Sequence, residues 1–254
     1  MDTIQIIILA AGHGKRMKST LPKALLLFKG EPMISRIVSS IEKAGFKNKP
    51  IVVISPHTGK KIKEALKDRS VYAIQNEQLG TGHAVYSAKD HIKKEVKNIM
   101  VLYADHPLVQ GSTVKKVVLS HIGNSSPITM ATTTVSNFDE WRAGLHDFGR
   151  IKRNKKNGHI IGIVEKKDAN PEELQIKEVN PSYFCFDSKW LFENLPKIKN
   201  ENAQKEYYLT ELAEVAADSG IKINNFQIDP VEAMGANTPE QLALLEKLAE
   251  NHVI

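Results

Sequence analysis

The stretch IQIIILAAGHGKRM, residues 4–17, decides the fold. Its first seven residues are nearly all apolar, and such a run predicts a strand that is buried on both faces of a sheet. A glycine-rich turn follows at Gly12 and Gly14. Glycine there lets backbone N–H groups approach phosphate oxygens, because no Cβ obstructs them. The stretch therefore predicts a first strand that leads into a phosphate-binding loop.

Strand and helix patterns alternate through the first half of the chain. The predicted strands after the first are residues 50–54, 71–75 and 98–103. The predicted helices are residues 32–45, residues 57–67, a helix that starts near residue 80, and residues 111–121. This alternation predicts an α/β fold with a doubly wound, mostly parallel Rossmann-like sheet that has helices on both faces.

The second half of the chain has a different pattern. Strand-like runs cover residues 127–133, 159–164 and 182–186, and Asn157-Gly158 predicts a turn. Helical patterns return at residues 207–219 and 238–250. We interpret residues 1–254 as a single domain in which a β-rich insertion, roughly 135–185, forms a lid. The sequence has no repeat or low-complexity linker that would mark a domain boundary.

Composition excludes several classes of protein. The chain has 254 residues, of which 41% are hydrophobic, enough to form a core. The net charge is +6. Its lysines are scattered and no basic stripe is interleaved with aromatic residues, so we expect no nucleic-acid partner. The first apolar run is too short to span a bilayer and has no charged segment before it, so we expect no membrane partner either.

Cys185 is the only cysteine in the chain, which excludes an intramolecular disulfide and a cysteine-rich zinc site. It lies within an apolar run, so we expect a buried core residue and not a nucleophile. These features are typical of a cytoplasmic protein. The oligomeric state is left open.

The loop carries further signs of phosphate binding. Arg16 and Lys23 add positive charge beyond the glycines, Arg16 as a planar fork and Lys23 as a point charge. No Gly-Lys-Ser/Thr closes a Walker motif, and Met17 stands where a dinucleotide motif has its third glycine. The remaining alternative is a tight strand-to-helix turn without a ligand.

Asp105 follows the apolar strand 98–103. Open α/β sheets place ligand-contacting groups at the carboxyl ends of their strands, and a carboxylate there suits Mg²⁺. The alternative is that Asp105 caps a turn or helix before Pro107.

These residues lie in an ordered series of motifs. The first is LAAGHGKRM at residues 9–17, followed by Leu21-Pro22-Lys23. The later motifs are QLGTGHA at 78–84 after Gln75, YADHPL at 103–108, GRI at 149–151, IVEKKDA at 163–169, NAQKEYYLT at 202–210, and Asn237. The series covers residues 4–245 and resembles the sugar-1-phosphate nucleotidylyltransferases, in particular the N-acetylglucosamine-1-phosphate uridylyltransferases.

The resemblance implies a role for each matching residue. It assigns catalysis to Arg16 and Lys23, and metal binding to Asp105 and Asn237. It assigns nucleotide binding to Leu9, Ala10, Ala11, Gly12, Gly14, Gln75, Gln78, Gly80 and Thr81. It assigns sugar binding to Tyr103, Gly149, Glu165 and Asn180, and so implies that the β-rich insertion is a sugar-binding lid. Two alternatives remain, since Asn237 could instead cap the helix that follows it and Glu165 could be an exposed surface charge.

The departures from the family pattern fall on the sugar side. Asn180-Pro181-Ser182 stands where Asn-Thr/Ser-Gly is usual, Phe148 replaces a common tyrosine, and Glu211 replaces an aspartate. The segment before Gly149 is longer than usual. The C-terminal acetyltransferase β-helix of the bifunctional members has no counterpart in this sequence.

The sequence thus predicts an enzyme that uses Mg²⁺ to transfer UMP from UTP to N-acetylglucosamine 1-phosphate. One alternative is a uridylyltransferase for another sugar 1-phosphate, such as glucose 1-phosphate. The other is a nucleotide-sugar sensor without turnover. Such a sensor would not need all four of Arg16, Lys23, Asp105 and Asn237.

Overall fold

The structure is a computed structural model that describes residues 2–12, 14–17 and 19–251, without the side chains of Lys15 and Asn251. His13 of the predicted phosphate loop therefore lies outside the described residues. Within these residues, no helix combines the length and the apolar character needed to cross a bilayer.

The described residues form twelve strands and eight α-helices, along with short 3-10 turns. The strands are β1 (Ile4–Leu9), β2 (Leu27–Phe28), β3 (Glu31–Pro32), β4 (Ile51–Ile54), β5 (Val71–Ile74), β6 (Asn98–Tyr103), β7 (Ile128–Thr134), β8 (Gly149–Arg153), β9 (Ile160–Val164), β10 (Glu178–Asn180), β11 (Phe184–Asp187) and β12 (Asn224–Gln227). The helices are α1 (Met33–Lys43), α2 (Gly59–Leu66), α3 (Thr81–Tyr86), α4 (Gly111–Ile122), α5 (Ser188–Asn194), α6 (Leu212–Asp218), α7 (Pro230–Ala233) and α8 (Pro239–Asn251).

The main sheet has the strand order β5-β4-β1-β6-β11-β7-β12. The pairs of β1 with β4, β1 with β6, β4 with β5 and β7 with β12 are parallel. Strand β11 is antiparallel to both of its neighbours. The predicted doubly wound, mostly parallel sheet is therefore confirmed, and among these seven strands β11 is the reversed one.

Strand β1 is apolar along its length because both of its faces are covered. Ile6 and Ile8 pack into a core with α1, α2, α4, α7 and α8. Ile7 and Leu9 point to the opposite face and pack with α3, α5 and α6. Successive side chains of a strand alternate between faces, so burial of both faces requires an unbroken apolar run.

Strands β8, β9 and β10, which lie between β7 and β11 in the sequence, extend the sheet from the end of β7. β10 pairs antiparallel with the end of β7, and β8 pairs antiparallel with β10 and with β9. Gly158 has a φ of 71° in the turn between β8 and β9, where the Asn157-Gly158 turn was predicted. These antiparallel strands lie within the β-rich segment predicted for residues 135–185. The single-domain assignment stays a prediction.

Several predicted boundaries differ from the structure. The helix predicted at 207–219 is wrong at its start, because residues 209–211 form a 3-10 turn and α6 begins only at Leu212. Tyr207 precedes this turn, and its N–H donates to the Leu79 carbonyl while its carbonyl accepts the Gly82 N–H, 2.8 Å each. The next residue, Tyr208, has extended backbone. The predicted strand at 182–186 is β11, which begins at Phe184. The strands β2, β3, β8, β10 and β12 and the helices α5 and α7 were not predicted.

Candidate active site

A pocket of about 280 Å³ opens at the carboxyl ends of β1, β5 and β6. Its wall contains twelve of the residues assigned to the site from the sequence, namely Leu9, Ala10, Ala11, Gly12, Gly14, Lys23, Gln75, Gln78, Gly80, Thr81, Tyr103 and Asp105. Parallel strands end at one edge of the sheet, so loops that are distant in sequence meet there. This is the largest group of predicted residues that the fold brings together.

The glycine loop is shaped to receive Lys23. Gly14 has a φ of 60°, and a Cβ added there would lie 2.7 Å from the Cβ of Lys23. A side chain at position 14 would therefore be strained and would also displace Lys23. The Met17 N–H donates to the Gly14 carbonyl at 2.9 Å and closes the turn. The loop thus places Lys23 against the pocket.

Lys23 joins the two predicted metal ligands. Its Nζ donates to Oδ2 of Asp105 and, at 2.7 Å, to Oδ1 of Asn237. The three residues are 214 positions apart at most, and the fold brings them together. The Lys23 and Asp105 side chains are only 19% and 14% exposed, so this ion pair is shielded from bulk water.

The Asn237 side chain contacts Lys23 and does not have the helix-capping role that the sequence left open. Helix α8 is capped by Thr238, whose Oγ1 accepts the Gln241 N–H at 3.3 Å. The Gln241 side chain in turn accepts the Asn237 N–H at 2.7 Å. This reciprocal arrangement resembles a capping box and frees the Asn237 amide for Lys23.

The charge of Asp105 is stabilised by its neighbours. Burial is the largest single influence and would raise the pKa of this carboxyl, but the Lys23 ammonium, through its charge and its hydrogen bond, leads the opposing effects that together hold the pKa below its usual value. The neighbouring His106 has its pKa lowered, chiefly by burial. Asp105 is therefore an anion beside a neutral imidazole at neutral pH.

Gln75 and Gly80, which are predicted to bind the nucleotide, contact each other. Nε2 of Gln75 donates to the Gly80 carbonyl at 3.1 Å and lies 3.1 Å from Nδ1 of His83. Gly80 has a φ of 118°, and a Cβ there would lie 2.6 Å from the backbone N and O of Tyr207. The glycine is therefore required by the close approach of the chain around Tyr207.

The predicted sugar residues form a second group. Asn180 of β10 pairs with Gly149 of β8, and a Cβ on Gly149 would lie 3.3 Å from Oε1 of Glu165. Oε1 of Glu165 accepts from Oγ1 of Thr210 at 3.0 Å. Burial raises the pKa of Glu165, and the nearby Asp168 charge adds to that effect. Glu165 is thus not the exposed surface charge of the alternative interpretation.

Tyr103 connects the two groups. It lines the pocket, and its phenol interacts with Thr81, with Ser182 and with the charges of Glu165 and Asp105. Burial is the main cause that raises its pKa well above the usual value. The phenol therefore keeps its proton and can act as a hydrogen-bond donor.

Arg16 is not brought into the pocket wall. It lies in a short 3-10 turn, Lys15–Met17, and its side chain is exposed to solvent. It follows Gly14, which does line the pocket, by two residues. Asn237, Gly149, Glu165 and Asn180 also lie outside the lining of this pocket.

The sequence analysis missed some residues of the site. Glu206 lines the pocket, Thr210 bonds Glu165, and Ser182 bonds Asn180. Glu206 and Thr210 were present in the matched motif 202–210 but had no role assigned. Cys185 is buried in the core, as predicted.

The chain was compared with known proteins. Residues 6–211 match the family model described as the MobA-like NTP transferase domain. Proteins named bifunctional protein GlmU are similar: the one from Clostridioides difficile strain 630 is 41% identical over 97% of this chain. The one from Thermoanaerobacter pseudethanolicus is 38% identical over the whole chain. The chain spans about half the length of these relatives, 52% and 53%.

Solved structures share the fold at low sequence identity. A putative glucose-1-phosphate thymidylyltransferase from Bacillus anthracis, in complex with a sucrose, has a TM-score of 0.74 at 17% identity and covers 98% of this chain and 96% of its own. The inositol-1-phosphate CTP transferase from T. maritima has a TM-score of 0.68 at 17% identity and covers 97% of this chain and 96% of its own. Since the family match extends over most of the sequence, the chain belongs to the MobA-like NTP transferase family, and the predicted nucleotidyltransferase is confirmed.

Proposed function

We propose that this chain transfers UMP from UTP to N-acetylglucosamine 1-phosphate, giving UDP-N-acetylglucosamine and pyrophosphate. The observation that carries the proposal is the junction at Tyr103. There, a pocket with a glycine loop and the Lys23–Asp105 pair meets a second group of polar residues around Glu165. Two adjoining polar sites are what a reaction between a nucleotide and a sugar phosphate requires.

The reaction joins two anions. A phosphate oxygen of the sugar 1-phosphate attacks the α-phosphorus of UTP, a new P–O bond forms, and the bond to the β-phosphate breaks to release pyrophosphate. The attacking oxygen is already an anion near neutral pH, so no general base is required. The main barrier is electrostatic repulsion, which calls for positioning and charge neutralisation.

The residues of this chain would meet that requirement from several directions. The backbone N–H groups of Ala11, Gly12 and Gly14 would surround phosphate oxygens, and Lys23 would place a positive charge beside them. Arg16, which is exposed, would contribute only once the triphosphate extends past the loop. Gln75 and the backbone at Gly80 would contact the uracil edge, where a larger purine would meet the chain around Tyr207.

The donor set also fits a hard divalent cation. A carboxylate oxygen of Asp105 and an amide oxygen of Asn237 converge on one cation in the structure, the Lys23 ammonium. Oxygen ligands of these types are those that Mg²⁺ prefers. Asp105 and Asn237 would hold Mg²⁺, which when bound supplies positive charge that offsets the charge of the phosphates.

Glucose 1-phosphate is the second candidate sugar. Pro181 replaces the residue that follows Asn180 in the family pattern, and it has no N–H to donate. A changed backbone beside Asn180 could alter the part of the site that contacts an acetamide group. N-acetylglucosamine 1-phosphate is therefore proposed from the resemblance to the N-acetylglucosamine-1-phosphate uridylyltransferases. Glucose 1-phosphate is kept as the alternative because Pro181 departs from the family pattern.

The test is pyrophosphate release with Mg²⁺ from each of UTP, CTP, ATP and GTP, combined with N-acetylglucosamine 1-phosphate, glucose 1-phosphate or no sugar. We expect the highest kcat/KM with UTP and N-acetylglucosamine 1-phosphate, and a product with the mass of UDP-N-acetylglucosamine. Preference for glucose 1-phosphate would overturn the sugar assignment alone. Binding of UTP without release under any combination would instead identify a sensor.

A further inference from the structure

Ser182 has the backbone conformation that glycine usually takes. Its φ is 65°, in the left-handed region that L-residues with a Cβ rarely adopt. Among the described residues, four other non-glycine residues share a positive φ: Lys29, Lys67, Glu140 and Lys205. All four are exposed, whereas Ser182 is partly buried between the buried residues Pro181 and Tyr183.

The positive φ of Ser182 is stabilised by hydrogen bonds with Asn180, one of the residues predicted to bind the sugar. The Ser182 N–H donates to Oδ1 of Asn180 at 2.9 Å, and Nδ2 of Asn180 donates to Oγ of Ser182 at 3.3 Å. Both polar atoms of the Asn180 side chain are thus tied to one residue. Since an amide can rotate about its last bond, these two contacts fix which atom is a donor and which is an acceptor.

The Ser182 hydroxyl also reaches the other side of the site. It interacts with the Tyr103 phenol, with which Thr81 interacts as well. Thr81 is itself fixed, because its Oγ1 accepts the Leu209 N–H at 2.9 Å. A chain of polar contacts therefore runs from Asn180 through Ser182 and Tyr103 to Thr81 at the nucleotide pocket.

We propose that Ser182 is a positioning residue that sets the affinity for the sugar phosphate by orienting the Asn180 amide and the Tyr103 phenol. The inference rests on the proposed function, since it places the sugar beside Asn180. Strained backbone persists where surrounding contacts enforce it, and it concentrates at functional sites. Here the strained backbone places the Ser182 hydroxyl near the Asn180 and Tyr103 side chains.

The test separates the hydroxyl from the backbone. Ser182→Gly removes the hydroxyl and also relieves the positive φ, so we expect a melting temperature equal to or above that of the wild type. Ser182→Ala removes the hydroxyl and keeps the strain, so its melting temperature should be lower than that of Ser182→Gly. In both variants we expect the KM for N-acetylglucosamine 1-phosphate to rise about tenfold, as for one lost polar contact. The KM for UTP should stay within about twofold.

Lys29→Gly is the matched control. It relieves a positive φ of 49° at an exposed turn, and its contact with Glu246 comes from the backbone N–H, which glycine keeps. We expect this variant to gain stability like Ser182→Gly, with no change in either KM. A purely structural role for Ser182 would move stability and leave the sugar KM unchanged.

The outcomes separate this inference from the proposed function. An active wild type together with an unchanged sugar KM in both Ser182 variants would overturn the inference alone, as would a Ser182→Gly protein that fails to fold. If the wild type releases no pyrophosphate, the proposed function fails. In that case the role of Ser182 is tested by the Kd for the sugar phosphate, measured by calorimetry with UTP present, of the wild type, Ser182→Gly and Ser182→Ala. Equal Kd values contradict the inference.

Discussion

The two sides of the site are built in different ways. The nucleotide side consists of short loops that directly follow parallel strands, so each residue is placed by a strand end close to it in sequence. The sugar side takes Gly149 and Asn180 from the antiparallel strands β8 and β10, Glu165 from the position directly after β9, and Thr210 from a separate turn. Sheet topology thus supplies the phosphate-binding side, whereas the sugar side also depends on tertiary hydrogen bonds.

The largest effect is expected at the pair that anchors the phosphate-binding side. Asp105→Asn keeps the side-chain volume and removes the charge that faces Lys23. We expect turnover to fall by about a thousandfold, the upper part of the range for lost electrostatic stabilisation at an active site. The measurement is pyrophosphate release at saturating Mg²⁺.

Asp2→Asn is the control for that variant, because Asp2 also pairs with a lysine, Lys47, at 2.9 Å but on the exposed surface. It should keep full activity, since exposed pairs contribute little. Near-normal turnover in folded Asp105→Asn would remove Asp105 from the proposed metal site.

Lys23→Met should have the next largest effect. It keeps an unbranched side chain and removes the ammonium that contacts Asp105 and Asn237. We expect kcat to fall by about a hundredfold. Sugar KM should change little, because Lys23 belongs to the nucleotide side, and Lys47→Met should behave as wild type. A variant with normal kcat and an altered sugar KM would reassign Lys23 to the sugar.

Glu165→Gln tests the sugar side through pH. Because burial raises the pKa of Glu165, its carboxyl keeps a proton to a higher pH than an ordinary glutamate and becomes a full acceptor only above that raised pKa. The wild-type KM for the sugar phosphate should therefore fall as pH rises through this range. The amide does not titrate, so the variant should show about a tenfold higher KM at high pH and a smaller pH dependence.

Comparison of the two proteins at each pH cancels the titration of the substrate phosphate itself. If both proteins show the same pH dependence, the carboxyl of Glu165 does not contact the sugar.

The smallest effect is expected for Arg16→Ala. The side chain is exposed, so water screens its charge, and we expect kcat to fall by about tenfold, less than for Lys23→Met. Steady-state rates measured at low and high salt provide the test, since the difference from wild type should shrink as salt increases. A loss as large as that of Lys23→Met would mean that Arg16 moves into the pocket when UTP binds.

The sequence was most informative where one motif carries both structure and chemistry. The apolar run of β1 with its glycine turn led to the parallel sheet and to one part of the pocket wall. The first four strands of the main sheet were predicted because each is a short apolar run, although β5, at the sheet edge, exposes Val71 and Ile74. Asp105 was found because it directly follows β6.

The sequence was less informative where tertiary contacts override local pattern. Tyr207 lies in a helical pattern but outside the helix, because its backbone bonds to Leu79 and Gly82. Strand β12 reads Asn-Asn-Phe-Gln and was missed because it is polar and lies at the edge of the sheet. A serine does not by itself indicate a positive φ, and the signal at position 182 was the glycine that the family pattern has there.

The central claim is that the two sides act separately, one on the nucleotide and one on the sugar. A single set of kcat/KM values tests it: wild type, Gln75→Glu and Glu165→Gln, each with UTP and ATP and with N-acetylglucosamine 1-phosphate and glucose 1-phosphate. We predict that Gln75→Glu changes the ratio between UTP and ATP and leaves the ratio between the sugars intact, while Glu165→Gln does the reverse. If each variant changes both ratios to the same extent, the division of the site into two sides is contradicted.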